Sequence, residues 1–225
     1  MARARADRGG AGGKRHGRPI RTGDNALTTF ESIPEVDVSD VFSDSLEKRK
    51  DLARRIGEAI STVGFFYAVN PPVTHEAIDG AFDAMKAFFA RPEEEKMQLH
   101  THKSPAARGY EPFKETRLDS KTIGDFKESF ILGDDYLDVE QMSISTAPEG
   151  AAHMNQWPTF DDSFRPTMYD YYLQAFEFAQ ALVRIYALAL DLPEDTFDSI
   201  FSTPIVGMNA LQCVGDGLGG GGRKC

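Results

Sequence analysis

One long apolar stripe at helical spacing limits what this chain can fold into. It lies between about residues 163 and 190, and its members recur every three or four positions: Met168, Tyr172, Ala175, Phe176, Ala179, Leu182, Val183, Tyr186, Ala187 and Leu190. This spacing predicts a single helix with a broad buried face. Other elements must cover that face, and 225 residues with 41% apolar content suffice for one sizeable core. We therefore expect this helical part to be the most ordered.

Shorter patterns predict the remaining helices and strands. Two further stripes at helical spacing predict helices, with members Leu52, Ile56, Ala59, Ile60 and Val63 in the first and Ile78, Phe82, Met85 and Phe89 in the second. Asp44 or Ser45 can cap the first of these helices, Gly64 ends it, and the second opens at Thr74. Prolines followed by acidic residues predict short helices at Pro92 and Pro193. Dense apolar runs predict strands at 33–38, 65–69, 126–132 and 205–211.

Charge and composition separate the two ends from the body. Residues 1–23 carry seven basic residues and one acidic residue, a net +6, which leaves −16 on the rest of a chain whose total is −10. We predict a disordered basic arm at 1–29, a domain at 30–211 and a disordered Gly-rich tail at 212–225. The arm could also be a transit peptide, but it lacks serine and is broken by glycine pairs.

The same features bound the partners and the compartment. An acidic body gives no electrostatic basis for binding nucleic acid, and the arm has no aromatic residue to stack on bases. No apolar run reaches the length of a membrane span, so we expect no membrane partner. The two cysteines, Cys213 and Cys225, both lie near the end, which excludes a disulfide framework. A cytoplasmic location is the expectation.

Five short segments in a fixed order resemble a known enzyme family. They are Ile33-Pro34-Glu35-Val36-Asp37, Gly64-Phe65-Phe66-Tyr67-Ala68-Val69-Asn70, Arg108-Gly109-Tyr110, Lys127-Glu128-Ser129-Phe130 and Asn155-Gln156-Trp157-Pro158. Together they resemble the N-terminal region of the iron(II)/2-oxoglutarate-dependent oxygenases related to isopenicillin N synthase. The resemblance implies an α+β fold, with helices packed on part of a double-stranded β-helix, or jelly-roll, that is incomplete in this chain. Open strand edges would follow.

The resemblance also places three residues near the mouth of a substrate pocket. Arg108, Tyr110 and Phe130 occupy the matching positions and are the candidate substrate-binding residues. The alternative is structural, because buried aromatic side chains more often pack in a core than contact a ligand. Further along, residues 208–211 fit the beginning of a family strand, and the pattern is lost at Gln212. That loss has the appearance of a truncation.

The histidines do not reproduce the iron site that the family implies. Complete members hold Fe(II) on a His-x-Asp pair and a later His, whereas none of His16, His75, His100, His102 and His153 has Asp or Glu two residues later. The segment from His100 to His102 is the one His-x-His, and a strand there could present both imidazoles to one side. With no third ligand in view, the more ordinary interpretation is a polar surface loop after a Glu-rich helix. No catalytic residue and no metal ligand is therefore assigned.

Two hypotheses of function follow. Complete relatives would use Fe(II), O₂ and 2-oxoglutarate to oxidise a small organic substrate. This chain as given lacks the ligands for iron and 2-oxoglutarate, so we expect no cofactor and no activity from it. The second hypothesis is a non-catalytic fragment or binding module that pairs with a partner chain, or with itself, through open strand edges.

Overall fold

The computed structural model describes residues 32–117, 119, 123–135, 155–201 and 207–213. Four α-helices are present in this part of the chain: α1 (Leu46–Thr62), α2 (His75–Phe89), α3 (Glu93–Lys96) and α4 (Phe164–Ala189). Its five strands are β1 (Glu35–Asp37), β2 (Tyr67–Val69), β3 (Gly109–Glu111), β4 (Lys127–Leu132) and β5 (Met208–Cys213). The predicted α+β class is confirmed.

Helix α4 is the element on which the other long helices pack. Both α1 and α2 contact it. Its first half contributes Phe164, Met168 and Tyr172 to one apolar cluster, together with residues of α2 and of the β3–β4 pair. Its second half contributes Ile185 to another cluster, which it shares with α1 and β1. The predicted helix therefore contributes to both clusters, although Ile185 lies outside the predicted stripe and Leu190, at the end of that stripe, is 63% exposed.

Local signals fix several helix ends. Thr74 caps α2, because its hydroxyl oxygen accepts the backbone N–H of Ala77 at 3.2 Å. After α1, Gly64 has a φ of +98°, a conformation that a residue without a Cβ adopts at little cost. Pro92 precedes α3 as its N-cap with an extended ψ of 143°, so it lies one position before the first helical turn.

The strands form two separate sheets in the described residues. β1 and β2 pair in parallel, with Val36 opposite Ala68. β3, β4 and β5 form an antiparallel sheet in that order, with Tyr110 opposite Phe130 and Phe130 opposite Ala210. β3 reaches the first apolar cluster through Tyr110, so this sheet carries most of the residues that the resemblance singled out.

Several predicted boundaries and orientations are wrong. The strand expected at 65–69 begins only at Tyr67, and Phe65 is 52% exposed. Phe82, assigned to the buried face of α2, is 63% exposed, whereas Met85 and Phe89 are buried. After Pro193 the chain forms turns rather than a helix. Short periodic runs fail in this way because tertiary contacts, and not spacing alone, decide which face is covered.

The last strand corrects the predicted tail. β5 runs to Cys213, so Gln212 and Cys213 belong to a paired strand and not to a disordered tail that starts at 212. Cys213 is disulfide-bonded, which the low cysteine count did not predict. The basic arm at 1–29, residues 214–225, His16 and His153 lie outside the described residues. Among the helices that the structure describes, none combines the length and the apolar character that crossing a membrane requires.

Candidate functional site

Arg108 lies just before β3 and is completely buried. Its Nη1 donates to the backbone oxygen of Asp134 at 2.8 Å and to Oδ1 of Asn155 at 3.2 Å. Burial lowers the pKa of Arg108, and the neighbouring carboxylates of Asp134 and Asp135 oppose that effect. Burial also raises the pKa of Tyr169 to about 12, so its hydroxyl stays protonated and can donate to Asp134 at 3.0 Å.

Asp135 is the acceptor at the centre of this network. Its carboxylate is buried and accepts from Nδ2 of Asn155 at 2.8 Å and from the indole N–H of Trp157 at 2.9 Å. Arg165, on the first turn of α4, completes the set with a contact of 2.8 Å. A buried carboxylate is tolerated when it is paired and hydrogen-bonded in this way. The network therefore ties the end of β4 to α4 and to the Asn-Gln-Trp segment.

Gln156, the middle residue of that segment, ties it to β3. Its Nε2 lies 3.1 Å from the backbone oxygen of Leu99, 2.8 Å from that of His100 and 2.7 Å from that of Arg108. The chain passes so closely here that position 109 requires glycine. Gly109 has a φ of +117°, and a Cβ there would overlap the Leu99 carbonyl oxygen and lie 2.6 Å from Gln156 Nε2.

Tyr110 and Phe130 lie on the apolar side of the same sheet. Both are buried, and the ring of Phe88 meets each of them edge-on, with centroids 6.0 Å and 5.0 Å apart. The Tyr110 hydroxyl donates to Glu128 Oε2 at 2.7 Å, and Lys96 Nζ donates to the same oxygen at 2.6 Å. Burial, followed by the hydrogen bond to Glu128, raises the pKa of Tyr110.

The structure thus brings the three predicted substrate-binding residues to one sheet and buries all of them. A surface pocket of about 610 Å³ exists elsewhere, among α1, α4 and the turns after it, and is lined by none of the three. Their observed contacts are with protein, and contact with a substrate stays a prediction. Sequence reasoning missed Lys96 and Asp135, because nothing local marks either residue as a buried partner.

The His-x-His segment is also placed in a specific setting. His100 is 8% exposed, and its Nε2 lies 2.9 Å from Glu115 Oε2. His102 lies with its Nε2 3.3 Å from Glu115 Oε1. The segment is a 3₁₀ turn, Thr101–Lys103, and not a strand. Glu115 is the third group that the sequence did not reveal, because it lies beyond β3.

Comparison with known proteins gives this arrangement its context. A sequence profile of the family described as "non-haem dioxygenase in morphine synthesis N-terminal" matches residues 33–160, more than half of the chain. The chain belongs to the iron(II)/2-oxoglutarate oxygenase family and corresponds to its N-terminal region. All five segments that carried the resemblance lie within the matched residues, and the predicted family is confirmed.

Individual relatives agree with this membership. The chain is 32% identical over 180 residues to the 2-oxoglutarate-Fe(II) type oxidoreductase ppzC of Metarhizium rileyi, covering 76% of this chain and 48% of that protein. It is 29% identical over 182 residues to hxnY of Emericella nidulans, another 2-oxoglutarate-Fe(II) type oxidoreductase, covering 80% of this chain and 52% of that protein. The chain therefore spans about half the length of the curated relatives it matches.

Solved structures share the fold. A full-length Neurospora crassa protein, solved in complex with alpha-KG, has a TM-score of 0.59 at 24% identity, over 74% of this chain and 50% of its own. A putative 2OG-Fe(II) oxygenase family protein of Caulobacter crescentus has a TM-score of 0.59 at 25% identity, over 74% of this chain and 51% of its own. This likeness confirms the predicted partial jelly-roll with packed helices.

The residues present do not fit the family's iron site. That site needs His-x-Asp and a later His, and no His in the sequence has Asp or Glu two positions later. In the part of the chain that the structure describes, the one group of three potential ligands is His100, His102 and Glu115, whose order and spacing differ from that pattern. No step of an iron-dependent reaction is therefore derived from these residues.

Proposed function

We propose that this chain forms the N-terminal part of an Fe(II)/2-oxoglutarate-dependent oxidoreductase that oxidises a small organic molecule. The observation that carries the proposal is that three of the five family segments, 108–110, 127–130 and 155–158, meet at one buried sheet and its hydrogen-bond network. Arg108, Asp135 and the 155–157 segment join β3 and the end of β4, and Arg165 joins Asp135 to α4, through hydrogen bonds of 2.7–3.2 Å. Such locking holds a sheet rigid enough to support a substrate pocket.

In this proposal Arg108, Tyr110 and Phe130 belong to the wall of the substrate pocket. Their packing supports this role, because the rings of Tyr110 and Phe130 contact Phe88 and so hold the sheet against α2. Arg108 holds the backbone at Asp134, two residues after β4 ends. Contact of these three residues with a small-molecule substrate is part of the proposal, and the identity of the substrate is left open.

The 225-residue chain is expected to lack the activity by itself, because its residues do not supply the iron ligands. Purified chain given Fe(II), ascorbate and 2-oxoglutarate should form no succinate above a blank without protein. Succinate formation that depends on the chain would contradict this expectation. Sequencing the transcript across and beyond the codons for residues 211–225 tests the wider proposal, which expects a frame containing His-x-Asp.

One observation favours the alternative of a module that pairs with another chain. Within the described residues, β5 pairs only with β4, and Leu211 on it is 56% exposed. A strand edge with an exposed apolar residue can add a strand from another molecule. Self-association through β5 is therefore part of the proposal. The proposal also includes a cytoplasmic location and no nucleic-acid or membrane partner.

A further inference from the structure

His100, His102 and Glu115 bring together two imidazoles and one carboxylate outside the network described above. One ligand atom from each side chain lies within 4.8 Å of the other two. The Glu115 carboxylate faces both rings at once, through Oε2 to His100 at 2.9 Å and through Oε1 to His102 at 3.3 Å. The two rings lie with their centroids 4.4 Å apart.

The backbones that carry these side chains are held in place. His100 forms a β-bridge with Tyr110, and its carbonyl oxygen accepts from Gln156 at 2.8 Å. The loop that carries Glu115 is closed by backbone hydrogen bonds on both sides of it, from Lys114 to Asp125 at 3.1 Å and from Asp125 to Thr116 at 2.9 Å. These backbone hydrogen bonds therefore hold the Glu115 carboxylate next to His100, which favours a preformed binding site over a fortuitous side-chain contact.

We propose that His100, His102 and Glu115 form a binding site for a divalent transition-metal ion. Imidazole nitrogen and carboxylate oxygen suit zinc and its neighbours in the first transition series better than magnesium or calcium, which prefer oxygen alone. Two ligand atoms at about 2.05 Å from a tetrahedral zinc lie roughly 3.3 Å apart, close to the 2.9 Å and 3.3 Å that separate the Glu115 oxygens from the two imidazole nitrogens. The site differs from the family's iron site in its residues and spacing, and it does not rest on the proposed oxidoreductase activity.

The two ring nitrogens of His100 have separate partners. His100 Nδ1 lies 3.1 Å from the backbone nitrogen of His102, which donates to it, and Nε2 faces Glu115 at 2.9 Å, so Nε2 is the ligand atom offered to the ion. Since the His102 side chain is 82% exposed, it can move towards the ion with little change in packing.

Titration of the full 225-residue chain with ZnCl₂ by calorimetry, after removal of metal with a chelator, tests the proposal. We expect one equivalent to bind with a micromolar Kd. His102→Ala and Glu115→Gln should each weaken binding at least roughly tenfold, because loss of even an outer partner of a ligand costs that much. His75→Ala is the matched control, an exposed histidine at the start of α2, and should bind like the parent chain.

A thermal melt separates loss of the site from loss of the fold. In chelator, the parent chain and both variants should melt at the same temperature, since His102 is exposed and glutamine preserves the shape of Glu115. With free Zn²⁺ a hundredfold above Kd, the parent chain should gain roughly 5–10 °C and the variants much less. Absence of stoichiometric Zn²⁺ binding, or binding that both variants retain, would overturn the proposal.

Discussion

At the scale of single residues, the buried cation Lys96 depends on one partner. Lys96 and Glu128 have side chains that are 8% and 7% exposed, and their charged atoms are 2.6 Å apart. Lys96 Nζ also donates to the backbone oxygen of Phe89 at 3.1 Å, and Tyr110 donates to Glu128. Pairing and hydrogen bonding offset the cost of taking both charges out of water, and removing one partner leaves that cost uncompensated.

Lys96→Met should therefore lower the free energy of unfolding by about 3–5 kcal/mol. The double variant Lys96→Met with Glu128→Gln should recover most of that loss, because no buried charge then lacks its partner and the amide oxygen can still accept from Tyr110. Urea unfolding at neutral pH measures both. Lys86→Met is the control, because its side chain is 72% exposed and its change should stay within about 0.5 kcal/mol. A single variant as stable as the parent chain would mean that the pair is hydrated.

At the scale of elements, the start of α4 depends on Asp161. Its Oδ1 accepts the backbone N–H of Ser163 at 2.9 Å and the Ser163 hydroxyl at 2.6 Å. These bonds, the one from the hydroxyl foremost, lower the pKa of Asp161 below its ordinary 3.8. A carboxylate whose folded-state pKa is lowered stabilises the fold above that ordinary value, and the contribution is lost as the pH falls through the folded-state pKa.

Asp161→Ala should accordingly cost about 1 kcal/mol at neutral pH, in the usual range for the loss of a side-chain hydrogen bond. The difference between variant and parent should shrink as the pH falls from 3.8 through the lower folded-state pKa, because the parent's folded carboxylate takes up its proton only there. Thermal unfolding followed between neutral and acidic pH checks both parts. Asp162→Ala, at the next position, should show neither effect. A difference that persists unchanged at low pH would assign the effect to packing rather than to charge.

The approach of β3 to the 97–99 turn gives a second test at this scale. Gly64 and Gly109 both have positive φ, but only Gly109 would place a Cβ against the Leu99 carbonyl oxygen, whereas Gly64 faces open space. Gly64→Ala should cost about 1–3 kcal/mol from backbone strain alone. Gly109→Ala should cost clearly more. Urea unfolding compares the two variants. Equal losses of unfolding free energy would mean that the 97–99 turn moves away from the added Cβ at no cost in stability.

At the scale of the whole molecule, the described sheets have outer edges. β5 pairs on one side with β4 in the described residues, and its Leu211 is 56% exposed. Unpaired edges that carry apolar residues promote association, and lysine on an edge strand opposes it. The net charge of −10 also opposes association, because copies of the chain repel one another.

The chain should therefore form concentration-dependent oligomers in sedimentation velocity, and Leu211→Lys should shift it towards monomer. Leu173→Lys is the matched control, because Leu173 is similarly exposed at 48% but lies on α4, where no strand edge is available. Equal effects of the two substitutions would show that general surface apolarity, not the strand edge, drives association. A monomeric parent chain with a sharp two-state melt would instead support an independent binding module.

The sequence by itself determined the elements whose signals are local. Spacing and capping chemistry between neighbouring residues suffice to predict three of these elements: helix α4, the Thr74 cap and strand β4. The order of five short segments also determined the family. Only the tertiary structure decided that Phe82 faces solvent, that β5 continues through Gln212, and that Arg108 is buried.

Tertiary structure also decided which polar groups meet. Asp135 is joined to Trp157 and Arg165, and Glu115 to His100, by contacts between residues that lie 15 to 30 positions apart in the chain. No local pattern encodes such pairs, because a buried hydrogen bond depends on where two distant backbones are brought by the packing of the apolar clusters. The histidine pair was visible in the sequence, but its carboxylate partner became identifiable only once β3 had turned the chain back towards it.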